Sequence, residues 1–371
     1  VQTRKEKYFD HSCRNPETAF GSIEDDCMRR DLTINALYTN ISTGEIVDIT
    51  GKGVDDIKNH IIRTPNDPDT IYDDDPLRIL RCIRFASRYG WEIEYDTYEG
   101  MVRNVSRLEI ITKERVKDEF CKMLTCKHPI MAMELLRKIG AMHYVIPELE
   151  ETYSMTQNEY HFGTVWEHTM VVLEGTKDDN MILRISALLH DIGKIRVCTE
   201  EDGKIHFLKH ELKSGEMIDE LLRPLKFSNE IIKEVTFLVR NHMICKTWGS
   251  ECEYMKDKKL RRFQYECKTE ERFRNLMTII DADNNAYAAD KCMPKQVEFI
   301  LSRTEAMKAE GSAMFGYKLP LTGKEIMDLK GIKPGSAVKE CLDYLMKIAF
   351  VNPLRKKEEF VKHLLGYRLQ K

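Results

Sequence analysis

Asp74-Asp75-Pro76-Leu77-Arg78-Ile79-Leu80-Arg81-Cys82-Ile83-Arg84-Phe85 is the stretch around which the sequence arranges itself. It reads as the start of a helix. Asp75 suits an N-cap and Pro76 suits the first helical position, where a missing N–H costs nothing. Leu77, Leu80, Ile83 and Phe85 supply a broad apolar face, and Arg78 and Arg81, three apart, lie on neighbouring turns of one side. A carboxylate and a guanidinium at the mouth of a helix can close a local Asp75–Arg78 salt bridge. They can instead present acceptors and a planar donor fork to the edge of a nucleotide base. Spacing alone favours the salt bridge.

Working outward, the 371 residues suggest roughly two to three domains. Hydrophobic residues at 42% and charged residues at 32% describe a globular chain on the charged side of ordinary. A net charge of −3 excludes an overall basic nucleic-acid binder, so local basic clusters must carry any RNA contact. No apolar run is long enough to span a bilayer, and the start shows no signal-peptide pattern. The 11 cysteines are scattered and contain no C-x-x-C pair, which fits reduced thiols in a cytoplasm. The first residues, Val1 to Tyr8, read as a strand entered midway, so the chain is expected to be a fragment.

The β content is expected at the start. Thr33 to Tyr38 suits a strand, Gly44-Glu45 a turn, and Glu45 to Ile49 a returning strand. His11 to Pro16 has turn chemistry and Asp55 to Ile62 reads as a connector. Helices are predicted from Pro76 to about Arg88 with a stop near Gly90, from Tyr95 to Asn104, and after a Thr112 cap. Met181 to His190 and Ser228 to Asn241 also carry the helical period, as does Val297 to Ala309.

Two flanking segments accompany the central stretch: Arg29-Arg30-Asp31-Leu32-Thr33-Ile34-Asn35-Ala36-Leu37 and Glu114-Arg115-Val116-Lys117-Asp118-Glu119-Phe120. Together the three resemble the class II tRNA nucleotidyltransferases, the bacterial CCA-adding enzymes and their poly(A) polymerase relatives. That family has Glu-Asp-x-x-Arg where this chain has Asp74 in place of the Glu. The resemblance implies that Asp75 and Arg78 act as an amino-acid template for the incoming CTP or ATP, with Arg81 beside them. It also implies that Arg30, Asp31 and Asn35 hold the ribose and triphosphate. Glu114, Arg115 and Asp118 read as structural ion pairs. The implied fold is α+β, predominantly α. Residues 1–62 would form the C-terminal part of a nucleotidyltransferase head with a partial palm, and 63–148 a helical neck. Residues 149–290 would form an HD domain and 291–371 a helical tail that contacts tRNA.

The third segment holds a second constellation. It runs Trp166-Glu167-His168, His190-Asp191-Ile192-Gly193-Lys194, His210-Glu211, Asn241-His242 and Ala282-Asp283. This order resembles the HD phosphohydrolases with extra histidines. Imidazole and carboxylate together suit Mn²⁺, Fe²⁺, Co²⁺, Ni²⁺ or Mg²⁺. The resemblance implies a primary site of His168, His190, Asp191 and Asp283, with His210 and His242 completing a second. Asp281 competes for the last place, and Lys194 would meet a phosphate. His161 and His206 match no position, and Trp166 reads as packing. In the tail, the Gly331 to Ser336 turn resembles the end of CCA-adding enzymes, with Lys324 and Lys333 as expected RNA contacts.

These readings lead to a CCA-adding tRNA nucleotidyltransferase that binds tRNA, CTP and ATP. The alternatives are a poly(A) polymerase of the same fold, or a metal-dependent phosphohydrolase acting on 2′-nucleotides or 2′,3′-cyclic phosphates. Nucleotidyl transfer needs two carboxylates to hold Mg²⁺, and no Asp-x-Asp occurs in the first 50 residues. The chain as given is therefore expected not to add nucleotides by itself. Template-ordered incorporation of CTP and ATP into tRNA by this chain alone, in excess Mg²⁺, would overturn that expectation.

Overall fold

A computed structural model describes residues 3–7, 17–158, 163–176 and 179–369. The expected loop at His11 to Pro16, parts of the opening strand, and His161 lie outside the described residues. The chain divides into two compact units, Val1–Arg240 and Asn241–Lys371.

The first unit opens with β1 (Arg4–Lys7) paired antiparallel to β2 (Glu17–Phe20), then α1 (Ile23–Met28), which a Ser22–Asp25 capping box starts. A hairpin follows, β3 (Leu37–Thr39) on β4 (Ile46–Asp48). The strand expected from Thr33 begins only at Leu37, because Thr33–Asn35 forms a 3₁₀ turn. Tertiary partners override the β-branched propensity there. The Thr33 N–H donates to the Arg63 carbonyl at 2.9 Å, and its hydroxyl donates to Asp56 at 2.7 Å. The expected connector is instead α2 (Gly53–Asn59) followed by β5 (Ile61–Ile62). Asp55 and Asp56 in the first turn of α2 suit the positive end of a helix.

Next, α3 (Pro68–Asp74) leads into α4 (Leu77–Tyr89). Asp75 is extended, Pro76 is already helical, and an Asp75 carboxylate oxygen accepts the Leu77 N–H at 3.2 Å. Asp75 thus does the capping expected of it. Helix α4 buries Leu77, Ile79, Leu80, Cys82, Ile83 and Ala86, while Phe85 is half-buried. Its end is set by Gly90, at φ 72°, whose N–H donates to the Ala86 carbonyl at 2.8 Å. The chain then forms β6 (Glu92–Ile93), which pairs in parallel with β5 and fastens the exit of α4 to the end of the head. The chain continues with α5 (Tyr95–Asn104), α6 (Lys113–Leu124), α7 (Pro129–Lys138) and α8 (Met142–Val145), with α4 packed on α6 and α7.

The same unit carries α9 (Val165–Gly175), α10 (Met181–Leu189) and α11 (Lys194–Val197), then a hairpin of β7 (Thr199–Glu201) and β8 (Lys204–His206). Helices α12 (His210–Leu222) and α13 (Asn229–Asn241) follow. In the second unit come α14 (Asp257–Cys267), α15 (Glu270–Asn285) and α16 (Gln296–Ala309); Arg303 ties α16 to α14 by donating to Asp257 at 3.0 and 2.6 Å and also donates to Glu310 at 2.9 Å, while Arg274 of α15 donates to Glu305 of α16 at 2.6 Å. Helices α17 (Gly323–Lys330), α18 (Ser336–Val351) and α19 (Lys357–Gly366) close over Ile326, Cys341, Leu345, Phe360 and Leu364. The fold is predominantly α, and the described sheets are two-stranded. Among the described residues no helix is long and apolar enough to cross a membrane.

Gly90 is the position where backbone handedness decides the end of α4. A Cβ there would also lie 2.9 Å from the His128 ring. Gly90→Ala should lower the unfolding free energy by about 1–2 kcal/mol, read as a lower urea midpoint at unchanged slope.

Candidate nucleotide and metal sites

The three segments singled out in the head and neck meet on the N-terminal half of α4. Asp31 is buried, and one of its oxygens accepts the Leu32 N–H at 3.0 Å and the Asn35 amide at 3.1 Å. The other accepts Arg81 Nε at 2.8 Å, with a second guanidinium nitrogen 2.6 Å away. Arg30 grips Asp26 with two nitrogens, at 3.2 and 2.9 Å, and donates to the Asn35 carbonyl at 2.6 Å. Its guanidinium lies over the Tyr38 ring. Arg30, Asp31, Asn35 and Arg81 are therefore one connected polar network.

Asp26 went unnoticed in the sequence, although it is 1% exposed and accepts from Arg29, Arg30 and Tyr38. Its signal was present: it stands on α1 three and four residues before the two arginines that follow that helix, the spacing at which side chains meet. Burial and the bond to Asp26 push the Tyr38 phenol up to about 12.

The simple Asp75–Arg78 salt bridge does not form. Asp75 is held by Arg115 at 2.7 Å, across 40 residues of sequence. Arg78 is buried, donates to the Ile71 carbonyl at 3.1 Å, and lies 3.8 Å from Asp74. Asp74 thus faces Arg78. Arg115 serves as an ion-pair residue, as its helix suggested, while Glu119 pairs with Arg84 and Lys122.

The first unit brings four of the expected metal ligands together. A Thr164–Glu167 capping box starts α9 and sets the position of His168, and α10 delivers His190 at its C-terminal end. His190 Nε2 lies 3.3 Å from His168 Nε2 and 3.3 Å from Asp191 Oδ2, and His168 Nε2 lies 3.5 Å from that oxygen. His210, at the start of α12, places Nε2 3.1 Å from Asp191 Oδ1. His190 Nδ1 is 2.7 Å from the Ala187 carbonyl, and His210 Nδ1 is 2.9 Å from the Phe207 carbonyl. A carbonyl only accepts, so each Nδ1 carries the hydrogen. In the neutral rings, Nε2 is then a lone pair aimed at the cluster. Buried lone pairs facing one another and a carboxylate are the donor set of a cation site, and His168, His190 and Asp191 can share one ion.

Lys194 turns its amine onto Asp191 at 2.6 Å and Gln157 at 2.7 Å, and it is buried. Burial opposes ionisation of Asp191, but His190, Lys194 and His210 outweigh it and hold the carboxyl well below its usual range. Gly193 is required by close approach. A Cβ there would stand 2.4 Å from the Ser214 nitrogen and 2.6 Å from the His210 carbonyl. The Gly193 N–H donates to the Ser214 hydroxyl at 2.8 Å. Gln157 and Ser214 carried no local sequence signal. Trp166 packs as expected, edge-on to Tyr153, with its indole N–H on Glu134.

In the second unit His242 and Asp283 are buried, and Asp283 lies 2.9 Å from Lys246, which also donates to Asn284 at 2.9 Å. Asp281 accepts from Asn285 at 3.3 Å, one turn on. Lys324 and Lys333 are exposed.

Comparison with known proteins follows the same division. The poly(A) polymerase head domain matches residues 1–63, the "probable RNA and SrmB-binding site of polymerase A" matches 90–152, and the HD domain matches 125–284. The A-adding tRNA nucleotidyltransferase of Deinococcus radiodurans is 28% identical over 334 residues, covering 86% of this chain and 74% of that protein. The CC-adding tRNA nucleotidyltransferase of Thermus thermophilus is 28% identical over 363 residues, covering 94% and 78%. The solved CCA-adding enzyme of Bacillus stearothermophilus in complex with CTP shares the fold, with a TM-score of 0.67 at 21% identity over 98% of this chain and 77% of that one. With head, RNA-binding and HD segments matched in order, and its arginine and aspartate motifs joined on α4, the chain belongs to the family of CCA-adding tRNA nucleotidyltransferases and poly(A) polymerases that carry an HD domain.

Proposed function

We propose that this protein is a nucleotidyltransferase acting at the 3′ end of tRNA, with CTP and ATP as nucleotide donors. In that reaction the tRNA 3′-hydroxyl forms a bond to the α-phosphorus, the α–β bridge breaks, and pyrophosphate leaves. The observation that carries the reading is the Asp31–Arg81 ion pair, which joins the ribose-and-phosphate segment to the template helix. Asp75 and Arg78 would offer an acceptor and a donor fork to the base edge. Arg30 would pair phosphate oxygens, and Asp31 and Asn35 would meet the ribose. Arg81 positions Asp31. Mg²⁺ would supply charge neutralisation on the triphosphate, but the Asp-x-Asp carboxylates that would hold it do not occur in residues 1–50, so none of these residues is assigned to it.

A titration of this chain with each nucleotide tests the assignment. CTP and ATP should bind comparably, and both more tightly than GTP or UTP. Arg78→Ala should weaken both by about tenfold or more, the value of a missing charge-assisted bond pair. Binding of ATP alone would move the reading to poly(A) addition, and no nucleotide binding at all would remove it.

The buried His168–His190–Asp191 cluster favours a second activity, metal-dependent phosphoester hydrolysis. A divalent ion there would supply an activated water for attack on phosphorus. His168, His190, Asp191 and His210 would hold it, and Lys194 would fix the Asp191 carboxylate. The purified protein should take up Mn²⁺, Co²⁺ or Ni²⁺, and His168→Ala should weaken that uptake by at least about tenfold. Metal content by mass spectrometry, alongside an unchanged circular dichroism spectrum, is the readout. Equal metal content in wild type and variant would sink the assignment.

A further inference from the structure

Gln157 touches the supports of two different members of the histidine cluster. Its Oε1 accepts from the Lys194 amine at 2.7 Å, and its Nε2 donates to the Thr164 carbonyl at 3.0 Å. Those partners fix which way the amide points, because an ammonium only donates and a carbonyl only accepts. Each partner leads to an expected metal ligand. The Thr164 carbonyl receives the His168 N–H at 3.1 Å, in the first turn of α9. The Lys194 amine lies 2.6 Å from Asp191 Oδ2, the same oxygen that faces His190 at 3.3 Å and His168 at 3.5 Å.

The Lys194 amine therefore stands where it contests Asp191 Oδ2 with any divalent ion held by the two histidines. How hard it contests depends on what else it bonds. It is 2% exposed and lies 5.2 Å from the centre of the Phe207 ring, so water offers it little. Gln157 supplies a neutral acceptor that shares the amine with Asp191. Without that oxygen, a buried ammonium in need of acceptors turns more fully to the carboxylate. Its charge then opposes a cation on the same oxygen. The segment that carries Gln157 is itself fastened. The Val165 N–H donates to the Met155 carbonyl at 2.9 Å, and Arg196 forks onto the exposed Glu151 at 2.7 and 2.8 Å.

We infer that Gln157 is a positioning residue for a divalent ion at His168, His190 and Asp191: by sharing the Lys194 amine, it keeps Asp191 Oδ2 available to the metal. The inference rests on the hydrolytic reading above and adds the residue that sets how strongly that site takes its ion. Gln157 acts through Lys194 and is itself no ligand.

The test is a titration of the full chain with Co²⁺, with circular dichroism as the check on folding. Gln157→Met, close in volume but without the amide, should raise the Kd by about tenfold. Gln157→Ala offers the same comparison with a smaller side chain. Glu151→Gln, which loosens the same segment at its exposed end, should stay within about twofold of wild type. In a Lys194→Met background, Gln157→Met should change the Kd by less than about twofold, because the amine through which it acts is gone. An unchanged Kd in Gln157→Met overturns the inference. So does an equal loss in the Lys194→Met background or in Glu151→Gln, either of which makes Gln157 a general support of its segment. The visible absorption of bound Co²⁺ is a second readout that needs no Lys194 variant. At saturating Co²⁺ the Gln157→Met spectrum should match wild type, since the ligands are the same, and an altered spectrum overturns the inference. Failure of wild type to bind Co²⁺ removes the hydrolytic reading together with this role.

Discussion

A buried carboxylate is stable as an anion only when its lone pairs are filled, and Asp31 sets this condition for the whole head and neck. One oxygen is filled locally, by the Leu32 N–H and the Asn35 amide, and the other by Arg81, 50 residues away. Removing the guanidinium would leave one oxygen of the buried carboxylate unfilled, at a cost below that of a fully buried pair because Arg81 itself is partly exposed to water. The pair therefore fixes how the 3₁₀ turn at Thr33–Asn35 stands against α4. The polar side chains around it inherit that alignment. Arg30 is held by the Asn35 carbonyl on one side and Asp26 on the other, and Arg78 sits one turn back from Arg81.

Helix α4 was legible because its signals are local. The cap, the N1 proline, the 3.6-residue apolar period and the terminal glycine all lie within sixteen residues of sequence. The elements that were misread have non-local causes. Thr33 has the side chain of a strand residue, yet its hydroxyl and N–H are claimed by Asp56 and Arg63, so the backbone turns there. The stretch at 55–62 looks like a connector because β5 is only two residues long and finds its partner, Glu92–Ile93, beyond α4. A two-residue parallel pair leaves no period to read.

The polar sites divide in the same way. His168, His190, Asp191 and His210 could be picked out because the residue types and their order are chemically specific, and the structure gathers them around one carboxylate. Their supports could not. Gln157 reaches Lys194 from a loop 37 residues upstream, and Ser214 reaches the Gly193 N–H from 21 residues downstream. Neither residue type is informative alone, since a glutamine or serine is equally at home on a surface. The Asp75–Arg78 expectation failed for a related reason. Sequence neighbours at the right spacing are candidates for pairing, but Arg115 offers Asp75 a partner from another helix, and Arg78 is turned inward to the Ile71 carbonyl.

The two sites of the first unit ask for opposite ligands, and this bears on how a chain with a net charge of −3 can handle RNA. Along α4, guanidinium groups outnumber carboxylates, and Glu119 and Asp31 are placed to orient arginines rather than to cancel them all. That surface seeks anions. The histidine cluster does the reverse. Its ring hydrogens are spent on the Ala187 and Phe207 carbonyls, so lone pairs and a carboxylate face inward, and Lys194 answers only part of that negative potential. Surface fields are screened beyond about 8–10 Å at physiological salt. The excess acid elsewhere on the chain therefore leaves the arginine side of α4 locally attractive to phosphate, and the cation-seeking cluster, being buried, keeps its own potential.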